Sequence, residues 1–525
     1  MKPLKIILEK SILKLLLILG LSWSFSVSTV AQVLSPGTCG TASPDPEHLS
    51  YLEAIGEAYR NGLDMSISRR DSGGLSRIYI PFKAHIVRAP GSNNYMQVPA
   101  LLTTLCELNQ KYRASGIQFY LKDLPNYIFD GSLYYHTGWT QGNTQMTTYN
   151  MSRVVNVHFV DLSAMGLCGY ATFPGSGAGT TLRQGGLMMS VPCSQPGNTT
   201  LAHEMGHYLA LPHPFDGTSP QPQGVFAERV TRNSNEPAPR LNSNCATAGD
   251  RFCDTPADFI GNRWPCNGAA PQDTDINGDA FRPDATLFMS YSNDNCQNKF
   301  SAEQMNVMRY TLTGTSGGNG PRSYLLLPPM PAYDSVRSST TLIEPAAGAP
   351  ASPANWVYFK WTAAPNATMY YVRVVRGIAL MFERWVSDTS LLYTGPDLAS
   401  NGNYSVTVRP FNPASTCAPS SPSRSFTTTT PFGLSTSGLI DQHFRVYPTV
   451  LRQGEPLFCQ FSEANEGIDA MEITVRSMQG QSIYQNRVME AQTLQTIATE
   501  KLSPGIYTLE AHAGRWSKAI KIIVQ

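Results

Sequence analysis

Within His203-Glu204-Met205-Gly206-His207-Tyr208-Leu209-Ala210-Leu211-Pro212-His213, three of the chain's nine histidines fall inside eleven residues. Helix positions four apart lie one above the other, so His203 and His207 can offer two imidazoles to one metal ion. Glu204 borders that face and can hold a water bound to the same ion. His213 lies six residues beyond His207, and a continuing helix would carry it about 120° round and ~9 Å along the axis. The helix must therefore break first, and Pro212 supplies a local reason, since it biases Leu211 away from helical angles. Nine histidines in 525 residues would give His-acid-x-x-His by chance roughly 0.01 times, and the third histidine lowers this to about 0.0002. A coincidental group of core histidines is thereby set aside, and the chemistry expected is zinc-assisted hydrolysis.

The pattern His-Glu-x-x-His with a third histidine six residues on resembles the zinc signature of the metzincin endopeptidases. That resemblance implies an α+β catalytic domain with a twisted mixed sheet, an active-site helix and a C-terminal subdomain. It also implies zinc on His203, His207 and His213, with Glu204 as general base. The family has glycine where Ala210 stands, and an alanine entering the left-handed region there costs ~1 to 2 kcal/mol. Leu287-Phe288-Met289-Ser290-Tyr291 resembles the family's methionine turn, placing Met289 beneath the metal and Tyr291 as donor to the oxyanion. Cys168 to Pro174, Gly249-Asp250 with Asp254-Thr255-Pro256, and Met289 to Cys296 look like the pappalysin branch, a likeness covering about residues 78 to 312. By that likeness Cys266 pairs with Cys296, and Cys245 bonds to Cys253 or elsewhere. Cys39, in Cys39-Gly40-Thr41, resembles the leader cysteine that caps the zinc as a thiolate before activation; a disulfide with Cys106 is the alternative. Asp273-Thr274-Asp275-Ile276-Asn277-Gly278-Asp279, with Asp284 at the twelfth position, has the oxygen spacing of a calcium loop. The alternative there is a solvated turn.

Other elements must position these residues. At ~150 residues per domain the chain holds about three or four domains, and 42% hydrophobic content suffices for their cores. A net charge of +1 provides no field to gather nucleic acid. Lys2, Lys5, Lys10 and Lys14, the apolar run Leu15 to Leu21 and small residues up to Ala31 predict a secretory signal peptide over 1–31, the alternative being an uncleaved anchor. No later stretch is apolar enough to span a membrane, and ten cysteines in an exported chain predict disulfides. Residues 32–76 read as a covering leader with one helical piece, His48 to Tyr59. Residues 77–325 read as the catalytic domain, with strands from Arg77 to Val87, Val154 to Val160 and Gly185 to Val191, and helices over Val98 to Arg113 and from about Thr200.

Beyond a Gly/Pro-rich stretch the alternation is all β, predicting two sandwich modules. Over 341–429, Val357, Phe359 and Trp361 share one strand face, as do Tyr370, Val372 and Val374, and Tyr404, Val406 and Val408. This rhythm resembles a fibronectin type III-like sandwich. Over 442–525, Phe444-Arg445-Val446-Tyr447-Pro448, Gly480 in a hairpin turn, Leu502 to Tyr507, and Lys518 and Lys521 look like the type IX secretion sorting domain of Bacteroidetes. Thr449-Val450 stand where that family has Asn-Pro, and a wall-binding sandwich is the alternative.

The expectation is a secreted or surface-attached zinc endopeptidase exported by the type IX machinery, acting on proteins or peptides laid along Gly185 to Val191 as an added strand. Its rivals are an idle adhesin on the same scaffold and a protease of another clan whose third ligand is Glu228 or Glu236.

Overall fold

The computed structural model of the chain describes residues 38–62, 77–175, 185–217, 227–266, 271–314, 320–326, 333–355, 357–430, 444–461, 471–477, 481–488, 495–513 and 516–525. The predicted signal segment and the Gly480 turn lie outside them. The chain divides into two units: residues 1–338 with 365–367 and 411–418, and the remainder from 339 onward.

In the first unit the apolar run near Ile78 forms β2 (Ile78–Arg88), buried at eight consecutive positions. A strand buried on both faces reads as a continuous hydrophobic run and suits the middle of a largely parallel sheet. With β1 (Thr38–Cys39), β3 (Ile117–Leu121), β4 (Asn126–Phe129), β5 (Val155–Val160), β6 (Leu167–Ala171) and β7 (Leu187–Ser190), it builds a sheet of order β1-β6-β7-β5-β2-β3, with β4 also on β2. β2, β3, β4, β5 and β7 run parallel, whereas β6 is antiparallel to β7, so the sheet is mixed. Strand β1 runs parallel to β6, with Thr38 opposite Leu167 and Cys39 opposite Gly169. This corrects the expected peptide track: β7 is already paired on both sides, by β5 and β6, and cannot take an added strand.

Helix α1 (Pro46–Arg60) is capped by Asp45, which accepts the His48 N–H at 2.8 Å, with Pro46 in the first turn. Helix α2 (Val98–Lys111) buries Leu101, Leu102, Leu105 and Leu108, as its spacing demands. Short α3 (Gly131–Tyr134) and α4 (Trp139–Tyr149) follow β4. Helix α5 (Thr200–Tyr208) is buried from Leu201 onward, and α6 (Ala302–Thr313) opens on a capping box of Ser301 and Gln304. Disulfides join Cys106–Cys417, Cys168–Cys193, Cys245–Cys253 and Cys266–Cys296. Cys39 is therefore free, and the alternative bond to Cys106 is not made.

The second unit is all β. Val357–Trp361 pairs with Leu342–Glu344 and Ser390–Tyr393, beside a five-stranded sheet that includes Met369–Arg376 and Asn403–Phe411. Phe359 meets Phe382 and Phe426 between the sheets, the layered core of a sandwich. The Tyr404 hydroxyl accepts the Ala399 N–H at 2.7 Å, a local tie from a strand-opening tyrosine back to the preceding corner. The closing segment repeats the plan of three and five strands, around Leu457, Val475, Leu509 and Ile522. No helix among the described residues is long and apolar enough to cross a membrane.

Candidate active site

Helix α5 carries His203, Glu204 and His207, and it ends earlier than Pro212 requires. Leu209 is its C-cap, and Ala210 adopts φ 85°. Leu211 N donates to Gly206 O at 2.9 Å and Ala210 N to His207 O at 2.9 Å, the paired bonds of a Schellman cap with alanine in the place that favours glycine. This turn, ahead of the proline, reverses the chain and returns His213 to the helix. Gly206 has a second duty: a Cβ there would lie 2.5 Å from Met289 Sδ, so the missing side chain lets the fully buried Met289 pack beneath the two helical histidines.

The three imidazoles converge. His203 Nε2 and His207 Nε2 are 3.1 Å apart, and His213 Nε2 lies 3.2 and 3.0 Å from them. Their other nitrogens face acceptors: His203 Nδ1 is 2.8 Å from Phe288 O, His207 Nδ1 is 2.6 Å from Leu211 O, and His213 Nδ1 is 3.4 Å from Asp216 Oδ2. An Nδ1–H pointing at an acceptor fixes the tautomer that leaves Nε2 a bare lone pair. Three such lone pairs have no proton to share, and burial holds His203 and His207 well below the ordinary imidazole pKa. A cation resolves this arrangement, and the spacing fits nitrogen ligands at ~2.0–2.1 Å from one ion. Cys39 Sγ joins the set, all four ligand atoms lying within 4.8 Å of one another.

Glu204 is completely buried, with Gly169 against it; a Cβ on Gly169 would stand 2.9 Å from Glu204 Cγ. Burial pushes the Glu204 carboxyl up to about 7, against the hydrogen bonds of Cys39 and Thr41. Its Oε2 accepts from Thr41 Oγ1 at 3.0 Å. Burial, then the Glu204 charge, push the Cys39 thiol upward. Tyr291 stands edge-on to His213, 4.9 Å between centroids, and its hydroxyl donates to the Cys39 carbonyl at 3.3 Å. The Tyr291 hydroxyl is thus engaged by the peptide carbonyl of Cys39.

The other predicted residues are placed elsewhere. Asp273, Asp275, Asn277, Asp279 and Asp284 do not gather into a metal-binding group among the described residues. Asp275 Oδ1 accepts from Asn277 N and Asp279 N, Asn277 Oδ1 from Leu241 N, Asp279 pairs with Arg240, and Asp284 Oδ1 takes Thr286. The oxygens that would face calcium are spent on protein donors. Glu228 and Glu236 pair with Arg232 and Arg240, away from the histidines.

Three contributors escaped the sequence reading. Thr41 is visible there only as the neighbour of Cys39-Gly40. His48, expected merely as part of a helix, reaches Ala210 O from Nε2 at 2.9 Å. Arg322 is fully buried, donates to Tyr208 O at 3.2 Å and Thr172 O at 2.7 Å, and so caps the negative end of α5; no local motif announces it.

Residues 138–313 match the family model described as pregnancy-associated plasma protein-A, a peptidase family, and residues 457–525 match that described as secretion system C-terminal sorting domain. An extracellular metalloprotease of Pyricularia oryzae is 25% identical over 293 residues, 53% of this chain and 89% of its own. Extracellular metalloprotease 1 of Coccidioides posadasii is 23% identical over 300 residues, 53% of this chain and 90% of its own. Among solved structures, mature mirolysin of Tannerella forsythia in complex with a cleaved peptide is 19% identical, covering 48% of this chain and 96% of that one, at a TM-score of 0.36. The chain is a secreted or cell-surface metalloendopeptidase, whose residues 138–313 are similar to the pappalysin peptidases and whose residues 457–525 are similar to a type IX secretion sorting domain.

Proposed function

We propose that this chain hydrolyses extracellular peptide bonds with zinc on His203, His207 and His213 and Glu204 as general base, and that the leader holds it latent through Cys39. The convergence of three Nε2 atoms within 3.0 to 3.2 Å carries the reading. When bound, zinc would acidify a water and polarise the scissile carbonyl. The substrate lies along β6, on the edge where Gly40 N now donates to Gly169 O at 2.8 Å. Glu204 takes a proton from the attacking water, whose oxygen bonds to the carbonyl carbon. It then passes that proton to the leaving amine as the C–N bond breaks. Tyr291 donates to the carbonyl oxygen as charge gathers there, as it donates to Cys39 O in the leader-bound form. With Cys39 Sγ beside the three imidazole nitrogens and Thr41 holding Glu204, neither water nor substrate would enter. Residues 32–76 are assigned as the latency segment, 77–325 as peptidase, 341–429 as fibronectin-like module and 442–525 as sorting domain.

The test is cleavage of a peptide library by the leader-free chain beside its Glu204→Ala form, with metal measured in both. Cleavage by the parent alone, with about one zinc per chain in each, is expected. Equal cleavage by both, or none from a zinc-loaded parent, would sink the proposal.

A further inference from the structure

A cavity beside the active-site helix is lined by Cys39, Thr200, His203, Glu204, Tyr291 and Arg263, among others. It touches the general base and the proposed oxyanion donor, so it receives a side chain flanking the scissile bond. Cys39 forms part of its wall, and departure of the leader opens it.

Arg263 decides what the cavity takes. The neighbouring backbone is fixed, with Trp264 N donating to Tyr291 O at 3.1 Å and Asn293 N to Trp264 O at 3.0 Å. The guanidinium is anchored by Nη2 on Asp294 Oδ1 at 2.8 Å, and the same carboxylate oxygen lies 2.9 Å from Thr199 Oγ1. Asp294 is thus neutralised behind the cavity. Gln297, another wall residue, spends Nε2 on Ser290 O and Ser292 O, and its Oε1 faces Thr199. Arg263 Nε, by contrast, is buried and has no acceptor among the described residues. A buried donor left unpaired on a charged group is costly, and a planar guanidinium matches a carboxylate better than any other side chain.

We infer that Arg263 makes this cavity select an acidic side chain, aspartate or glutamate, next to the scissile bond and reject lysine and arginine. The inference rests on the peptidase reading above. It also states a reversal: with Arg263 removed, Asp294 is bare and the same cavity selects a basic side chain.

The experiment uses the leader-free chain and a peptide library randomised at both positions flanking the cleaved bond. At one of them acidic residues are expected to exceed basic ones at least tenfold in kcat/KM. Arg263→Ala is expected to invert that ratio, and Arg263→Lys to keep its sign at reduced size, which guards against a variant that merely misfolds. A parent that prefers basic or apolar residues at both positions, or an Arg263→Ala profile equal to the parent's, overturns the inference. Equilibrium binding to the Glu204→Ala form separates this failure from that of the hydrolysis reading. There a glutamate peptide is expected to bind about tenfold more tightly than its arginine twin, and Arg263→Ala to invert the difference. Such binding without cleavage by the parent would uphold the cavity and sink the hydrolysis; equal binding would overturn the cavity assignment.

Discussion

The hydroxyl of Thr41 donates to Glu204 Oε2 across 3.0 Å, and the oxygen of that hydroxyl accepts the Ala171 N–H at 2.9 Å. One side chain next to β1 therefore ties the proposed general base to β6. A hydrogen bond to a charged group contributes roughly 1.5–3 kcal/mol. Thr41→Val, in a synthetic peptide spanning residues 38–60 added to the leader-free enzyme, is expected to raise the inhibition constant about tenfold or more. An unchanged constant would show that Cys39 alone supplies the grip.

His213 completes the proposed ligand triangle from a loop rather than from the helix. His213→Ala is expected to bring bound zinc from about one per chain to near none, read by elemental analysis after dialysis. Full retention would point to a carboxylate ligand, with Glu228 and Glu236 the first to examine.

Ala210 stands at φ 85°, where an L side chain costs ~1 to 2 kcal/mol, and glycine would give back ~0.5 to 1 of that in chain entropy. Ala210→Gly is expected to stabilise the leader-free peptidase by about 0.5–1 kcal/mol, raising its melting midpoint by about 2 °C. A lowered midpoint would mean that the alanine methyl packs to advantage in the turn.

His85 and His158 stack inside the sheet, 4.2 Å apart and nearly parallel, remote in sequence from the proposed ligands. Burial lowers His85 to about 4 and His158 well below its ordinary value, with the charges of Lys83, His85 and His136 adding to the effect. Both rings are neutral in the fold, whereas the unfolded chain protonates them below about pH 6.5. The stability they contribute is full above that pH and is lost as pH falls toward 4, at roughly 1.4 kcal/mol per pH unit for each ring. Urea midpoints at pH 7.5, 6 and 5 should fall accordingly, and His158→Gln should remove about half of the slope. A variant with the parent's slope would count against the assignment.

Local text was enough wherever one physical rule governed a short stretch. The apolar run of Ile78 to Val87 specifies a buried strand, Leu101 to Leu108 an apolar helix face, and Val357, Phe359 and Trp361 one side of a sandwich strand. His203, Glu204 and His207 follow from helical spacing alone, because positions one turn apart share a face. Local spacing does not by itself say which partners a loop oxygen meets. The Asp273 to Asp284 loop has calcium-like intervals, yet Arg240, Leu241 and Thr286 supply the donors that use up its oxygens.

The amino-acid sequence by itself determined the helix that carries His203, Glu204 and His207, the nearby His213 and the sorting tail, since each is written in adjacent residues. Tertiary structure alone decided that the helix ends at Tyr208, three residues ahead of the position that Pro212 constrains, that β7 is paired on both sides while Thr38–Cys39 lies along β6, and that Thr41 reaches Glu204. It likewise decided that Arg263 neutralises Asp294 behind the cavity. These are contacts between residues far apart in the chain, fixed by sheet order and packing, and no interval along the sequence encodes which distant donor arrives at a given acceptor.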